Sequence, residues 1–408
     1  MNQPVTLTER HHLLDVLRGF ALLGVLLANM VSHAVYFLLS DAGQEALGTT
    51  GIDHYVEWLE HFLIDGKFYS LFSMLFGIGF ALQMQRSSGV GRDFTFRFVR
   101  RLIIMFVIGI LHAVLLFIGD ILTVYAMLGF VLLLFRKSSD KTLIRTAIVM
   151  LLLPVIQYGI FWGLNLVHPQ APVSAEAILE NEAFFKHVIQ VFQSGSYPEI
   201  IEMNIGGLVI GRYPDLVFTG RFFRVFAMFL IGFYVAKNML YANVSANRSF
   251  IRKAMIWGAV IGVPCNIVLA MMMTTDAYYD LQPMGIIQPV VYAFGVPALC
   301  IFYASAIALA FENPVWRKRW MIFAPVGQMA LTNYLMQSVL CCFVFMSYGL
   351  GLAAKLGPAK LTLIALAIYV IQMIYSHIWL KYFRFGPMEW LWRSLTYRKM
   401  QPFRRREL

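Results

Sequence analysis

Long apolar stretches without charge recur along the whole 408-residue chain and determine its class. Hydrophobic residues make up 59% of the sequence and charged residues only 13%. A helix needs about 20 apolar residues to cross the hydrocarbon core of a bilayer. We therefore expect one all-α polytopic membrane domain, residues 1–408, with about ten transmembrane helices. The predicted spans are 13–39, 61–84, 99–117, 120–136, 143–166, 221–238, 252–274, 286–311, 321–348 and 361–382.

The charge of the connecting loops alternates. The basic loops are 85–101, 136–145, 237–253 and 312–319, and the acidic or nearly neutral ones are 41–60 and 275–285. Because Lys and Arg favour the cytoplasmic side, this alternation predicts that both termini are cytoplasmic. Loop 349–360 is a mild exception, since it contains Lys355 and Lys360 on the predicted outer side.

Two segments outside these spans carry their own predictions. The stretch 167–220 is expected to be an extracytoplasmic loop, and its apolar part 200–218 is predicted to form a half-span or an interfacial helix, since Gly206, Gly207 and Pro214 disfavour a straight lipid-facing helix. Residues 383–408 are predicted to be a basic cytoplasmic tail. The net charge of +11 is spread over short clusters between apolar segments, which favours anionic lipid as the partner and not nucleic acid. A homodimer is a further expectation.

The first span has one polar face. On a helix Arg18 and Asn29 lie about 20° apart, and Asp15, Ser32 and His33 fall within about 60° of Arg18. Polar groups are costly in hydrocarbon, so this face is expected to line the bundle interior or a cavity. Pairing of Asp15 with Arg18 is the structural alternative.

The next hairpin contributes histidines and a lysine. His54 lies beside Asp53 and one turn before Glu57, a spacing that suits a general base near a carboxylate. Metal binding by His54, Glu57 and His61 is a weaker alternative, and no metal is predicted. Lys67 is either an anchor at the membrane surface or a cation directed at an anionic substrate.

Two further groups lie inside apolar spans. His112 is expected to bond to Asp120 or Tyr125, in a structural or proton-transfer role. Asn333 and Gln337, with Thr332, Tyr334, Ser338 and Cys341, provide either hydrogen bonds between helices or the lining of a ligand cavity.

Five stretches together resemble the YeiB-like family of bacterial inner-membrane proteins, formerly a domain of unknown function. These are LDVLRGFALLGVLLAN at 14–29, GKFYSLFSMLFGIGFALQ at 66–83, the stretch from His112 to Tyr125, GQMALTNYLMQ at 327–337 and IWLKYFRFGPMEWLWR at 378–393. The resemblance implies a multi-pass protein of the bacterial inner, cytoplasmic membrane.

That family is distantly similar to transmembrane acyltransferases, among them heparan-alpha-glucosaminide N-acetyltransferase and the acyltransferase-3 group. The similarity implies transfer of an acyl group from cytoplasmic acyl-CoA to an extracytoplasmic acceptor. The pair Arg18 and Asn29 corresponds to the family's Arg-Gly start and a polar residue eleven positions later, where acyltransferase-3 members have His. His54 is the nearest counterpart of a catalytic histidine, and Gln328 replaces a family arginine.

The residues are assigned roles on this hypothesis. His54 or His33 is the base, Asn29 polarises the thioester carbonyl, and Arg18 or Lys67 holds the CoA phosphates. Asn333 and Gln337 complete the predicted cofactor site. The alternative is a transporter or a protein that binds lipid or a small molecule in the same cavity.

Overall fold

The computed structural model describes residues 12–47, 51–86, 92–169 and 174–405, which form a helical bundle without strands in the described part of the chain. The helices are α1 His12–His33, α2 Asp41–Ala46, α3 Gly51–Leu63, α4 Lys67–Arg86, α5 Arg92–Leu115, α6 Leu122–Leu132, α7 Asp140–Val167, α8 Ala175–Ser194, α9 Tyr197–Gly206, α10 Tyr213–Phe218, α11 Arg221–Lys237, α12 Arg248–Met273, α13 Ile287–Ala310, α14 Pro314–Trp320, α15 Ala324–Gln328, α16 Ala330–Phe345, α17 Pro358–Tyr382 and α18 Pro387–Tyr397.

The all-α polytopic class is confirmed, because seven described helical segments are long and apolar enough to cross a membrane, or nine if two bent helix pairs each count as one span. Each of the ten predicted segments is largely helical. The predicted span 120–136 is the shorter apolar helix Leu122–Phe135. Such a helix is about 21 Å long, less than the roughly 30 Å hydrocarbon core, so the count of ten and the side of the termini stay predictions.

The predicted span 321–348 is not one helix, and this corrects the continuous span expected from hydropathy. Pro314–Gln328 and Ala330–Phe345 meet at 78°. Met329 at the break has φ −110° and ψ 37°, outside the helical region. Just before it, Gly327 packs so tightly on the Asp15 carbonyl that an added Cβ would lie 1.8 Å from that oxygen. Contact with α1 therefore fixes the end of α15.

The predicted loop 167–220 contains helices α8 to α10. Between α9 and α10 the chain forms a π-helical turn, Gly207–Arg212, and the whole Tyr197–Phe218 segment meets α11 at 60°. The corner residue is Gly220, whose φ of +64° is one that glycine adopts without strain. The segment expected to be a half-span is thus one arm of a bent helix pair.

Helices α4 and α11 approach each other through glycine on both sides. A Cβ at Gly77 would lie 2.0 Å from the Phe229 carbonyl oxygen, and one at Gly232 would lie 1.9 Å from the Met74 carbonyl oxygen. Small residues permit this backbone contact in membrane helices. The contact matters for the site because both helices contribute residues to its wall.

Candidate functional site

A cavity of about 270 Å³ lies inside the bundle, with walls from α1, α4, α5, α6, α11, α16 and α18. The contribution of α1 is Arg18, Leu22, Val25 and Asn29, one stripe at helical spacing. Of the predicted polar face of the first span, Arg18 and Asn29 line the cavity, whereas Asp15 and His33 are buried outside the lining and Ser32 is exposed. Arg18 and Asn29 are about 16 Å apart along the helix axis, since each residue rises about 1.5 Å.

Three arginines surround one end of the cavity, which we call the inner end because topology prediction places it near the cytoplasm. Arg18, Arg101 and Arg393 line it, and Arg101 interacts electrostatically with the other two. Arg18 donates to the buried Asp15 at 2.9 Å, so the predicted pairing is present. The Arg101 guanidinium stacks 3.6 Å from the Trp392 ring centroid. This end suits a polyanionic group.

Helix α18 is hydrogen-bonded to the first turn of α16 at the inner end of the cavity. Glu389 accepts hydrogen bonds from the backbone N–H groups of Leu331 and Thr332, at 2.6 and 3.1 Å, and from the Thr332 hydroxyl at 2.6 Å. These N–H groups belong to the first turn of α16, which has no partner within its own helix for them. Burial raises the pKa of Glu389, and these hydrogen bonds oppose that shift. Helix α18, in the described part of the 383–408 tail, is therefore part of the bundle wall.

The middle of the cavity is apolar and aromatic. Phe72, Phe76, Phe80, Phe98 and Met105 line it between the two polar ends. Such a surface excludes water and favours an extended, uncharged part of a ligand.

The opposite end, called the outer end, holds Asn29, Tyr69, Arg212 and Arg221. Arg212 and Arg221 act on each other electrostatically. Tyr69 exchanges a short hydroxyl hydrogen bond with Tyr292. The cavity thus has cationic groups at both ends.

A buried chain of hydrogen bonds lies behind the outer wall. Asp120 Oδ2 contacts His112 Nδ1 at 2.8 Å, and His112 Nε2 contacts the Ser338 hydroxyl at 2.8 Å. The second Asp120 oxygen accepts the Thr123 N–H at 2.8 Å. The His112 ring packs 5.0 Å from the ring of Tyr334, which lines the cavity. The predicted His112–Asp120 contact is present, and the carboxylate fixes the orientation of the imidazole.

Tyr125, the other predicted partner of His112, instead has a structural role in the cavity wall. It lines the cavity, and its hydroxyl hydrogen-bonds to the Ser73 hydroxyl at 2.8 Å and donates to the Tyr69 carbonyl at 3.0 Å. It therefore fixes the wall between α4 and α6 and does not contact His112.

Both predicted catalytic histidines, His54 and His33, lie off the cavity. His54 is exposed on α3 and is not brought to Asn29 or Arg18. His33 is buried, stacks on Phe117 with ring centroids 3.7 Å apart, and has an Nδ1 without a hydrogen-bond partner. His33 also acts electrostatically on His112, so these two histidines are neighbours.

Lys67 is not an anchor at the membrane surface. Its side chain is fully buried, and the ammonium group donates to the His61 carbonyl at 2.6 Å, close to the turn between α3 and α4. It does not line the cavity. Among the residues the structure describes, no three His, Cys, Asp or Glu side chains form a group suited to a metal ion.

Asn333 and Gln337 hold helices together. Asn333 donates to the Val326 carbonyl and to Ser376, both at 3.0 Å, while Gln337 donates to the Leu22 carbonyl at 3.2 Å and to Gln372 at 3.1 Å. Both side chains are buried away from the cavity lining. Of the two alternatives that the sequence left open, hydrogen bonding between helices is the one the geometry matches.

Sequence reasoning missed four cavity arginines: Arg101, Arg212, Arg221 and Arg393. Arg101 and Arg393 were assigned to basic clusters facing lipid. A signal was present for Arg212 and Arg221, which are basic residues on the predicted outer side, where the charge rule disfavours them.

Together the helical bundle and its internal cavity define a multi-pass membrane protein with a candidate site between its helices. The family model described as "Protein of unknown function (DUF418)" matches residues 235–399. The uncharacterized protein YxaH of Bacillus subtilis is 36% identical over 412 residues, covering 98% of this chain and 97% of the relative. The uncharacterized protein YeiB of Escherichia coli is 29% identical over 407 residues, covering 97% and 98%.

The chain belongs to this YeiB-like family of bacterial membrane proteins. A third relative, an uncharacterized 39.9 kDa protein from Bacillus acidopullulyticus, is 29% identical over 403 residues and covers 98% of this chain and 97% of itself. No solved structure matches the chain significantly. The names of these relatives state no activity.

Proposed function

We propose that this protein is an acyltransferase of the bacterial cytoplasmic membrane, which binds acyl-CoA at the inner end of the cavity and transfers the acyl group to an acceptor at the outer end. The observation that carries the proposal is the cavity itself. It joins a cluster of three arginines to an apolar middle and a polar outer end.

The shape of acyl-CoA matches this distribution. Arg18, Arg101 and Arg393 would hold its phosphates, because guanidinium groups bind phosphate through paired hydrogen bonds. The pantetheine arm would extend along the aromatic middle. The separation of Arg18 and Asn29, about 16 Å along α1, is comparable with the extended length of that arm. The thioester would then lie beside Asn29.

The chemistry follows from that position. The Asn29 amide would donate to the thioester carbonyl oxygen, where negative charge develops during attack. An acceptor hydroxyl or amine attacks the carbonyl carbon, the carbon–sulfur bond breaks, and CoA leaves as the thiol. The acceptor proton passes to a base and then to the sulfur. We assign the base to His112 in place of His54, because Asp120 orients His112 directly behind the Tyr334 wall of the cavity and its Nε2 would take the proton through the Ser338 hydroxyl, whereas His54 is exposed elsewhere.

Binding is tested with acyl-CoA and purified protein in nanodiscs. Arg101→Gln and Arg393→Gln should each weaken acyl-CoA binding about tenfold or more, since each removes hydrogen bonds between charged groups. Lys141→Gln is the matched control, because Lys141 is an exposed cation at the start of α7, outside the cavity. If the wild-type protein does not bind acyl-CoA in detergent or nanodiscs, the enzyme proposal is overturned.

Transfer is tested by comparing two histidines. His112→Gln should lower the rate of acyl transfer roughly 10²- to 10⁴-fold while acyl-CoA binding stays within a few-fold of wild type. His54→Gln should leave both quantities unchanged. The opposite result, loss of transfer in His54→Gln alone, would return the base to the outer hairpin.

One observation favours a second function. Cationic groups at both ends of the cavity would also suit a transporter or a binding protein for an anionic lipid or solute. In that case the protein should move or retain such a ligand without breaking a thioester, and release of CoA would not be detected.

A further inference from the structure

Three arginines lie within thirteen residues at the outer end of the cavity, on the bent helix pair formed by Tyr197–Phe218 and α11. Arg212 ends the π-helical turn, and Arg221 and Arg224 lie in the first turn of α11, just after the Gly220 corner. Arg212 and Arg221 line the cavity. π-helical turns often occur at functional sites, and this one ends in a cavity residue.

These charges are poorly neutralised by the protein. The Arg212 side chain donates only to the Gly119 carbonyl, at 3.4 Å, and its Nε is buried without a partner. Asp215 and Asp120 both act on Arg212 electrostatically, but neither forms an ion pair with it, and the oxygens of Asp120 are taken by His112 and Thr123. No carboxylate of the described residues forms an ion pair with Arg212.

Arg221 and Arg224 are also incompletely neutralised. Arg221 is 4.0 Å from Asp215, the limit of an ion pair. Arg224 is 7% exposed and stacks 3.7 Å from the ring centroid of Tyr292, without an ion pair to any described carboxylate. Tyr292 in turn bonds to Tyr69, which lines the cavity below Arg221.

The placement of these arginines is unfavourable for the protein alone. A partly buried cation without an ion-pair partner, such as Arg212, loses hydration free energy. The first turn of a helix carries a positive partial charge, so Arg221 and Arg224 lie where Asp or Glu would be stabilising. They are also on the predicted outer side, against the charge bias of the loops. A bound anion would relieve all three effects.

We propose that Arg212 and Arg221, supported by Arg224, form a binding site for a phosphate monoester. This proposal rests on the proposed function, because the phosphate would belong to the acyl acceptor. A phosphate monoester carries about −1.5 to −2 at neutral pH and has three acceptor oxygens, so it can accept hydrogen bonds from more than one of these guanidinium groups at once. A carboxylate offers only two acceptor oxygens. The phosphate can belong to a lipid headgroup or to a water-soluble ester.

The two sources are separated with two probes. Wild-type protein is reconstituted in nanodiscs of phosphatidylcholine alone, with glycerol 3-phosphate added to the buffer, or in phosphatidylcholine nanodiscs containing phosphatidate. Binding is measured as the rise in Tm with ligand concentration, since a ligand that binds only the folded state stabilises it. Stabilisation by phosphatidate alone identifies a lipid acceptor, and stabilisation by glycerol 3-phosphate alone identifies a soluble one.

Variants locate the effect. Arg212→Gln and Arg221→Gln should each weaken the response about tenfold or more, while Arg252→Gln, an exposed cation at the start of α12, should not change it. Arg221→Lys is the second variant if Arg212→Gln does not fold, and it should weaken binding because it keeps the charge but loses the planar fork. No response to either probe overturns the proposal. A response that persists in both glutamine variants but disappears in Arg101→Gln also overturns it, because it places the phosphate at the inner end.

The outcome is independent of acyl-CoA binding. Arg212→Gln should bind acyl-CoA as wild type does, since the proposed CoA contacts are at the inner end. Phosphate binding without acyl-CoA binding would overturn the proposed function and leave the phosphate site. Acyl-CoA binding without phosphate binding would overturn the phosphate site and leave the proposed function.

Discussion

Two glycines on α4, two residues apart, should respond to the same substitution in opposite ways. Gly77 faces the backbone of α11, where an added Cβ would be 2.0 Å from the Phe229 carbonyl oxygen and 2.9 Å from the Phe233 nitrogen. Gly79 has no atom within 4 Å of such a Cβ. Both are helical, so backbone entropy affects them equally.

The magnitude for Gly77→Ala follows from that distance. Ordinary contact begins near 3.5 Å, so the two helices would have to separate by about 1.5 Å or bend. The Gly232 contact with the Met74 carbonyl would open at the same time. Overpacking of this kind costs about 1–3 kcal/mol. Gly79→Ala should instead leave stability unchanged or raise it by up to about 1 kcal/mol, because alanine favours the helix.

The assay is thermal unfolding of the purified variants in one detergent, followed by intrinsic fluorescence and checked by size-exclusion chromatography. Gly77→Ala should lower Tm by a few degrees relative to wild type, and Gly79→Ala should not lower it. Equal Tm values for the two variants would refute the close contact between α4 and α11. A lower Tm for Gly79→Ala alone would mean that α11 contacts the Gly79 face of α4 and not the Gly77 face.

Three further predictions concern the buried carboxylates and the topology. Asp120→Asn should reduce the free energy of unfolding by about 1–3 kcal/mol, because an amide cannot replace both bonds to His112 and Thr123; an unchanged Tm contradicts this. A thiol introduced at Glu45 should react with an impermeant maleimide outside intact cells while one at Lys141 should not, and the reverse pattern would invert the topology. Burial raises the pKa of Glu389 in the folded protein. The protonated Glu389 side chain therefore contributes fully to stability below its unfolded pKa of about 4.3, and this contribution is lost as pH rises through its pKa in the folded protein. Between about pH 5 and about pH 8, Tm should fall less in Glu389→Gln than in wild type.

Hydropathy and helical periodicity were enough to predict the helical segments and the polar stripe on α1. The stripe from Arg18 to Asn29 lines a cavity because the cost of polar groups in lipid acts on each residue locally. Contact between His112 and Asp120 was also predictable, since the turn between α5 and α6 brings them together.

The break at Met329 was not predictable, because its causes are distant in sequence. The N–H groups of α16 beyond the break are satisfied by Glu389, almost sixty residues later, and Gly327 is fixed by Asp15 near the start of the chain. The same is true of Arg101, whose inward orientation depends on Trp392. Patterns within one segment contain no information on such partners.

The dependence of α16 on Glu389 has a consequence for how the protein is made. Helix α18 follows α16 in the chain, so the first turn of α16 leaves the ribosome before the carboxylate that satisfies it. Until then the cavity also lacks Trp392 and Arg393. The cavity is therefore complete only after α18 has been synthesised, and a chain truncated ahead of Pro387 would have an open, incomplete cavity wall.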